Sequence, residues 1–550
     1  MGFKERLTKE WLFWDGGTGS VLQSWGLQAG ELPETWNINH PEKIVELNKG
    51  YLEAGCDIIN TNTFGANRLK YPDNLEEIVT KAVEHAKKAR ELTGRGDALI
   101  ALDLGPTGKL LEPLGDLSFD DAVDIYAEVI EYGTKAGADV ILIETMQDSY
   151  ELKAAVLAAK EHSHLPVCAT VVFDEKGKML TGGTPESVVA LLEGLHVDAL
   201  GINCSLGPTQ IKPFVERMIK VSSTPIIVTP NAGLPQTDDE GHTYYDMNAD
   251  EFASEMKEIA SLNVHVLGGC CGTTPEYLSK TIELVKDLPI EPPVKKNISV
   301  VTSFSQAVEI GPKPVIIGER INPTGKKKFK QALRDGDINY ILSEGLKQED
   351  AGAHILDVNV GLPEIDEPKM MVEVMKKLQS VIALPLQIDT SDPIALEAAL
   401  RHYNGKAMIN SVNGKQESMD AVFPLVKKYG GVVVGLALDE EGIPDNAADR
   451  IRIAKKIYKE ASKYGIEPKD IVIDGLAMTI SSDPTSAIAT LETLRIIRDE
   501  LHGHSILGVS NISFGLPQRP IINANFFTMA MQSGLSAGII NPLSEDMMRS

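Results

Sequence analysis

Two adjacent cysteines, Cys270 and Cys271, lie in a glycine-rich turn that follows a short apolar run. On an extended strand, consecutive side chains point to opposite faces, so the two sulfurs could not converge there. Glycine allows the non-extended backbone angles that would bring them together, and the turn contains Gly268, Gly269 and Gly272. The turn therefore favours two thiols that face one point.

A third cysteine, Cys204, ends a similar apolar run earlier in the chain. Three thiolates that leave one coordination position open are typical of a catalytic zinc site that accepts a sulfur ligand. Such a site suits activation of a thiol for attack on an alkyl group better than hydrolysis. Packing cysteines or a strained vicinal disulfide remain the alternative for the Cys270–Cys271 pair taken alone. Cys56 and Cys168 do not end apolar runs, and we assign both to packing.

Polar residues follow the other apolar runs of the first half of the chain. In parallel α/β barrels, catalytic residues gather at the carboxyl ends of the strands. Asp15 and Glu144, at two such ends, are candidates for binding an ammonium group. A helix N-cap or an ion pair would use the same residue types. Other polar residues at these ends are Thr61, Thr63, Asp103 and Asn231.

Short apolar runs alternate with amphipathic helical patterns along the whole chain, which predicts parallel sheets built from βα units. The first eight runs are 12–15, 57–63, 98–104, 139–144, 166–173, 199–204, 225–230 and 265–267. The second eight are 315–322, 355–359, 384–389, 407–412, 432–438, 471–478, 506–511 and 538–542. The predicted fold is α/β, with two tandem (β/α)8 TIM barrels. A doubly wound sheet would have fewer strands per domain and a full glycine-rich phosphate loop.

A proline-containing segment separates the two sets of runs and reads as a linker. We therefore expect a first barrel over residues 1–286, a linker and lead-in over 287–313, and a second barrel over 314–550.

The composition is typical of a soluble globular protein, with 43% hydrophobic and 24% charged residues. A formal net charge of −25 argues against nucleic acid or an anionic membrane as a partner. The sequence contains no signal peptide and no apolar run long enough to cross a bilayer. Five cysteines, an odd number, indicate a reducing compartment rather than a disulfide framework. We expect a cytoplasmic protein.

Several motifs of the first half, in their order along the chain, resemble those of the homocysteine S-methyltransferase domain. They are DGGTG at 15–19, EAGCDIINTNTFG at 53–65, GPTG at 105–108, IET at 143–145, GINC at 201–204, PNAG at 230–233 and GGCCG at 268–272. The resemblance implies a zinc ion bound by Cys204, Cys270 and Cys271, with the sulfur of homocysteine as the fourth ligand. Asn231 would supply an oxygen ligand while homocysteine is absent, although it could equally cap the following turn. The resemblance further implies a homocysteine site formed by Asp15, Gly16, Gly17, Thr63 and Glu144, in which Asp15 and Glu144 hold the amino group.

The strand ends of the second half carry carboxylates and amides, without a cysteine or a pair of histidines, so we expect no metal there. Such residues offer hydrogen-bond acceptors and donors to a flat heterocycle with several N–H groups. Turns and caps use the same residue types, which leaves each residue ambiguous when taken singly. The polar strand-end residues are Glu319, Asn322, Asp357, Asn359, Asp389, Asn410, Asp474 and Asn511.

Motifs of the second half resemble the pterin-binding domain of dihydropteroate synthases and of methyltetrahydrofolate–corrinoid methyltransferases. They are IGERINPTG at 317–325, GAHILDVN at 352–359, QIDT at 387–390, INS at 409–411, ID at 473–474 and GVSNISFG at 508–515. The last motif resembles the methyltransferase branch, which implies Asp389, Asn410 and Asp474 on the pterin edge and Asn511 near the ring nitrogen that carries the methyl group. Asn511 and Asp474 would be the catalytic residues. The implied 5-methyltetrahydrofolate site consists of Glu319, Asn322, Asp357, Asn359, Asp389, Asn410, Asp474, Asn511 and Arg519.

The order of the two domains resembles that of cobalamin-dependent methionine synthases. The implied reaction passes a methyl group from 5-methyltetrahydrofolate to cob(I)alamin, and from methylcobalamin to zinc-bound homocysteine. The sequence lacks an Asp-x-His-x-x-Gly cobalamin loop. We therefore expect a corrinoid-binding domain or protein outside this chain, which is either a fragment of a longer enzyme or a partner of a separate protein. A fusion of the thiol methyltransferase to a barrel that binds or synthesises pterins, or a non-enzymatic two-barrel scaffold, remains the alternative.

Overall fold

The structure is a computed structural model that describes residues 2–237 and 243–550. The chain folds into two compact units, of which the first ends at Lys296 and the second begins at Asn297. Each unit contains an eight-stranded parallel sheet that follows the order of a (β/α)8 barrel. The predicted fold class is confirmed.

The first unit carries its barrel strands in the positions that the apolar runs predict. These strands are β1 (Leu12–Phe13), β2 (Ile58–Asn60), β3 (Leu99–Leu104), β4 (Val140–Met146), β5 (Val167–Val171), β6 (Ala199–Asn203), β7 (Ile226–Thr229) and, after an antiparallel hairpin of β8 (Pro235–Thr237) and β9 (Thr243–Tyr245), β10 (Val266–Leu267). Strand β1 pairs with β10 and, through a parallel bridge between Trp14 and Ile58, with β2. This bridge brings the two end strands of the sheet together, so the first barrel is nearly closed.

Amphipathic helices surround this barrel. They are α1 (Phe3–Arg6), α2 (Thr18–Ser24), α3 (Trp36–Asn39), α4 (Pro41–Ala54), α5 (Leu75–Thr93), α6 (Phe119–Ala136), α7 (Ser149–His162), α8 (Pro185–Gly194), α9 (Pro208–Val221), α10 (Ala249–Ala260) and α11 (Pro275–Val285). Helix α6 begins at an N-cap, where the Ser118 hydroxyl accepts a hydrogen bond from the Asp121 amide, and ends at Gly137 in a left-handed conformation. Cys56 and Cys168 are buried in the hydrophobic core of this unit, as their assignment to packing requires.

The second unit is a closed barrel. Its strands are β13 (Val315–Ile321), β14 (Ile355–Val358), β15 (Leu386–Asp389), β16 (Met408–Asn413), β17 (Val432–Leu436), β18 (Ile471–Asp474), β19 (His504–Gly508) and β20 (Ala537–Ile540), preceded by an antiparallel hairpin of β11 (Ser299–Thr302) and β12 (Ala307–Ile310). Val301 and Ile310 of the hairpin pack in one core cluster with residues of the barrel strands.

The helices of the second unit complete the βα units. They are α12 (Lys327–Asp335), α13 (Ile338–Asp350), α14 (Glu367–Gln379), α15 (Pro393–His402), α16 (Gln416–Tyr429), α17 (Ala447–Lys463), α18 (Ser486–Asp499), α19 (Arg519–Gln532) and α20 (Glu545–Arg549). A 3-10 helix, Val509–Ser513, directly follows β19. Across the described ranges, none of the helices combines the length and apolar character needed to cross a membrane.

Candidate functional sites

The three cysteines predicted to bind a metal converge at the carboxyl ends of β6 and β10. Their sulfur atoms all lie within 4.8 Å of one another. The sulfurs of Cys204 and Cys271 lie 3.9 Å apart. Cys204 adopts a positive φ of 53°, and Gly272 a φ of 82°, so the chain leaves the extended conformation at both segments.

The segment after β7 connects the two cysteine segments and places Asn231 beside them. The carbonyl oxygen of Thr229 accepts a hydrogen bond from the Cys204 amide at 3.1 Å, and that of Pro230 accepts one from the Cys270 amide at 2.8 Å. Asn231 is 3% exposed, and its Oδ1 atom has no hydrogen-bond partner among the described residues. Within that part of the chain, this oxygen therefore caps no turn. Three sulfurs and one free buried oxygen fit the donor set of a four-coordinate zinc ion.

The thiols also act on one another electrostatically. Hydrogen bonds donated by the thiols of Cys204 and Cys270 lower the pKa of the Cys271 thiol far below its usual range. The Tyr245 side chain, from β9, adds a further hydrogen bond to the Cys271 sulfur. The cluster therefore favours a thiolate, which is the form of cysteine that binds metals.

The carboxyl groups of Asp15, Asp103 and Glu144 lie close enough to influence one another's ionisation, and Glu144 also lies near Cys271. Asp15 is 2% exposed, and its Oδ2 accepts a 2.7 Å hydrogen bond from the Asn60 amide, so it caps no helix. Burial raises its pKa to about 7. Burial, followed by the charges of Asp15 and Cys271, raises the pKa of Glu144 to about 8. Burial and the charge of Glu144 raise the pKa of Asp103, whose Oδ1 has no hydrogen-bond partner within the described ranges. These carboxyls therefore form a buried, acidic pocket suited to a cation.

Gly16 and Gly17 let the chain approach the cysteine turn closely. A Cβ atom added at Gly16 would lie 2.5 Å from Thr273 Oγ1, and one added at Gly17 would lie 2.7 Å from the carbonyl oxygen of Cys270. The Thr273 hydroxyl in turn donates a 2.7 Å hydrogen bond to that same carbonyl oxygen. Thr63 is fully buried, and its hydroxyl donates to the Asp103 carbonyl oxygen at 2.7 Å. Its side chain therefore helps to hold the backbone at Asp103 in place.

In the second barrel, hydrogen bonds join the predicted residues at the ends of β14, β15 and β16. Asn359 Nδ2 donates to Asp389 Oδ2 at 3.0 Å. Gln387 Nε2 donates to Asp357 Oδ1 at 2.6 Å, and the Asn410 side chain also hydrogen-bonds Asp357. Burial raises the pKa of Asp389 to about 6. Burial and the charge of Asp389 raise the pKa of Asp357.

Asp474, at the end of β18, is held by its own loop. Its Oδ1 atom accepts a 2.7 Å hydrogen bond from the Leu476 amide, and burial raises its pKa to about 6. Across the barrel, Glu319 Oε2 accepts a 2.7 Å hydrogen bond from the Ser510 hydroxyl. This bond connects the end of β13 to the 3-10 helix that presents Asn511, which is exposed.

Two predicted folate-binding residues use their polar atoms within the loops. Asn322 Oδ1 accepts a hydrogen bond from the Thr324 amide at 2.9 Å, as in an Asx turn. Arg519 donates to the Ser513 hydroxyl and to the Ser510 carbonyl oxygen, both at 3.0 Å. Its guanidinium carbon lies 4.8 Å from the centre of the exposed Phe514 ring. Arg519 thus holds the loop that contains Asn511.

Each barrel matches a known protein family. Residues 12–285 match the family model described as homocysteine S-methyltransferase, and residues 318–541 match the one described as pterin binding enzyme. Each family model thus matches one barrel, and together the two matches cover most of the chain. The resemblance to these families is therefore confirmed, and with it the prediction of a methyltransferase domain.

The chain is also similar to individual proteins. The chain is 30% identical over 566 residues to methionine synthase of Mycobacterium tuberculosis. The matched region covers 96% of this chain and 47% of that protein. It spans about half the length of the curated relatives it matches. Two solved structures are also similar: Escherichia coli homocysteine methyltransferase in its oxidized form (22% identity, 49% of this chain, 94% of that chain, TM-score 0.43) and Xanthomonas albilineans dihydropteroate synthase (20%, 46%, 95%, TM-score 0.37).

Some residues of these sites were not predicted from the sequence. In the homocysteine S-methyltransferase barrel, Tyr245 lies far from every motif, and its contact with Cys271 follows from the hairpin alone. In the pterin-binding barrel, Gln387 contacts Asp357. A signal for Gln387 exists, because it precedes Asp389 by two positions on one strand and so shares its face.

Proposed function

We propose that this chain catalyses methyl transfer from 5-methyltetrahydrofolate to homocysteine, which yields tetrahydrofolate and methionine. The carrier of the methyl group is a corrinoid bound by another domain or protein. The convergence of three cysteine sulfurs within 4.8 Å of one another, in a barrel of the homocysteine S-methyltransferase family, carries the proposal. The 30% identity to a methionine synthase over both barrels supports the pairing of the two half-reactions in one protein.

In the first barrel, Cys204, Cys270 and Cys271 would hold a zinc ion, with Asn231 Oδ1 as the fourth ligand until substrate arrives. Zinc at this position lowers the pKa of a thiol and keeps it ionised near neutral pH.

Homocysteine is oriented by its amino group, which binds at Asp15 and Glu144. Both carboxyls are buried, and an ammonium group supplies the positive charge that favours their ionised forms. Gly16 and Gly17, which pack closely against the cysteine turn, would contact the substrate beside that turn, and Thr63 supports Asp103. The substrate thiol gives its proton to solvent. Its sulfur then bonds to the methyl carbon while the bond between that carbon and the corrinoid breaks, and the electron pair of the broken bond stays with the corrinoid.

In the second barrel, the pterin ring binds at its polar edge to Asp389, Asn410 and Asp474. A tertiary amine is a poor leaving group, so a proton or hydrogen bond on the methyl-bearing ring nitrogen helps the transfer. Asn511 lies near that nitrogen and orients the proton, which an amide cannot supply itself. Asp474 assists it as the second catalytic residue. The remaining contacts of the 5-methyltetrahydrofolate site come from Glu319, Asn322, Asp357, Asn359 and Arg519.

Two assays on the zinc-loaded chain test the proposal. One mixes free methylcobalamin with homocysteine and measures methionine; the other mixes 5-methyltetrahydrofolate with cob(I)alamin and measures methylcobalamin. We expect Cys270→Ala to abolish the first activity and Asp474→Asn to abolish the second, each sparing the other. Loss of both activities in one folded variant would contradict the assignment. So would condensation of p-aminobenzoate with a pterin pyrophosphate, which is the reaction of a pterin-synthesising barrel.

A further inference from the structure

Asn203 is the last residue of β6 and directly precedes the proposed zinc ligand Cys204. Its side chain is fully buried, at 0% exposure, and uses all of its hydrogen-bonding positions. Oδ1 accepts hydrogen bonds from the Thr145 amide and the Thr170 hydroxyl, both at 2.9 Å. Nδ2 donates to Glu144 Oε2 at 3.2 Å and to Thr145 Oγ1 at 2.7 Å.

This network fixes the direction of the amide. The Thr145 amide can only donate, so the atom that faces it must be the side-chain oxygen of Asn203. The NH2 group must then face the Glu144 carboxyl. Glu144 therefore receives a donor at a defined position, and its carboxyl group is held toward one side of the pocket.

Asn203 also holds the backbone next to Glu144. Thr145 has a φ of 61°, which is unfavourable for a β-branched residue, and Asn203 contacts both its amide and its hydroxyl. Cys204 follows with a φ of 53°. One buried side chain thus joins the strand end that presents Glu144 to the strand end that presents a cysteine of the cluster.

We infer that Asn203 is a positioning residue that, through Glu144, makes the site selective for thiols that carry an α-ammonium group. The inference rests on the proposed function, because it assigns Glu144 to the substrate amine. Replacement by aspartate preserves the shape of the side chain but removes the donor, and it sets a carboxylate against Glu144. A lost hydrogen bond to a charged group corresponds to about 10- to 100-fold in binding.

Calorimetric titration of the zinc-loaded chain tests this role with two thiols. L-Homocysteine carries the α-ammonium group, whereas 4-mercaptobutyrate has the same thiol and carboxylate without it. We expect Asn203→Asp to weaken homocysteine binding about 10- to 100-fold, to leave 4-mercaptobutyrate binding unchanged, and to retain zinc. Equal losses for both thiols, no loss for homocysteine, or loss of zinc would overturn the inference. Asn37→Asp is the matched control, because Asn37 is a buried amide of the same barrel whose partners are Asn62 and the Ile78 carbonyl oxygen.

A double-mutant cycle provides a second test if Asn203→Asp does not fold. Asn203→Ser should weaken homocysteine binding in the natural chain but have no further effect when combined with Glu144→Gln, because the group it positions is already lost. Additive losses would overturn the inference. An unsubstituted chain that binds neither zinc nor homocysteine would instead overturn the proposed function, and the inference with it.

Discussion

The sulfur atoms of Cys204 and Cys271 lie 3.9 Å apart, although 67 positions separate the two residues along the chain. Packing cysteines have no need to converge in this way, and Cys56 and Cys168 of the same barrel lie apart in the core. A third sulfur, from Cys270, completes a cluster at the carboxyl ends of the strands. The arrangement therefore favours a metal centre over structural packing.

Cys271→Ser should abolish zinc binding, because a serine hydroxyl stays protonated at neutral pH and is a poor zinc ligand. We expect the zinc content, measured by atomic absorption, to fall from about one per chain to near zero. Cys168→Ala is the control, since Cys168 is buried in β5, and it should retain the metal. Full zinc in Cys271→Ser would refute the cluster as the metal site.

Asn231→Ala should weaken zinc binding in the absence of homocysteine, because it removes an Oδ1 beside the cysteines that has no hydrogen-bond partner in the described ranges. We expect a loss of about tenfold in zinc affinity, typical of one weakened contact to a metal site. Competition with a chromogenic chelator measures this affinity. Saturating homocysteine should remove the difference between the variant and the natural chain, and a difference that persists would argue against Asn231 as an exchangeable ligand.

Gly16→Ala should disturb the cysteine turn without touching a cysteine. The new Cβ would lie 2.5 Å from Thr273 Oγ1, which hydrogen-bonds the Cys270 carbonyl oxygen. We expect weaker zinc binding and a lower melting temperature. Gly19→Ala is a matched control, because its Cβ meets no atom within 4 Å and alanine favours the helix in which it lies. Equal behaviour of the two variants would show that the close approach at Gly16 is dispensable.

Asp474→Asn should weaken 5-methyltetrahydrofolate binding while zinc content stays constant. Removal of a charged acceptor from a buried hydrogen bond corresponds to about 10- to 100-fold in affinity. Isothermal calorimetry with the folate measures the effect. Asp420→Asn, at an exposed position of α16, serves as the control and should bind normally. An unchanged affinity in Asp474→Asn would remove this residue from the pterin site.

Glu144→Gln should reduce the pH dependence of stability in the metal-free protein. Burial raises the pKa of Glu144 from its ordinary value of 4.5 to about 8, so the folded state keeps a proton that the unfolded chain loses. The stability present below about pH 4.5 is therefore lost progressively as the pH rises toward 8. Scanning calorimetry at pH 6 and pH 9 should show a smaller decrease in melting temperature for Glu144→Gln than for the natural chain. Equal decreases in the melting temperatures of the two proteins would contradict the raised pKa of the buried Glu144 carboxyl.

Secondary structure followed from the sequence to a large extent. Every barrel strand overlaps one of the sixteen apolar runs, from Leu12–Phe13 to Ala537–Ile540. The reason is local: a strand buried on both faces in a parallel barrel needs a continuous apolar run, and a helix of a βα unit needs an amphipathic one. The residue types at the strand ends likewise pointed to a soft metal in one barrel and a polar heterocycle in the other.

The hydrogen-bonding partners of those residues were decided by the tertiary structure. The sequence alone does not distinguish Asn203 from other strand-end asparagines, but the fold places its side chain against Glu144. Ser510 likewise lies in a loop, and the fold brings its hydroxyl to Glu319. The same holds for the Oδ1 of Asn231, which the surrounding segments leave without a hydrogen-bond partner among the residues that the structure describes. A sequence determines which chemical groups each strand end carries, because strand ends follow from local patterns. Which groups meet depends on strand order and register, because these bring together residues that are distant along the chain.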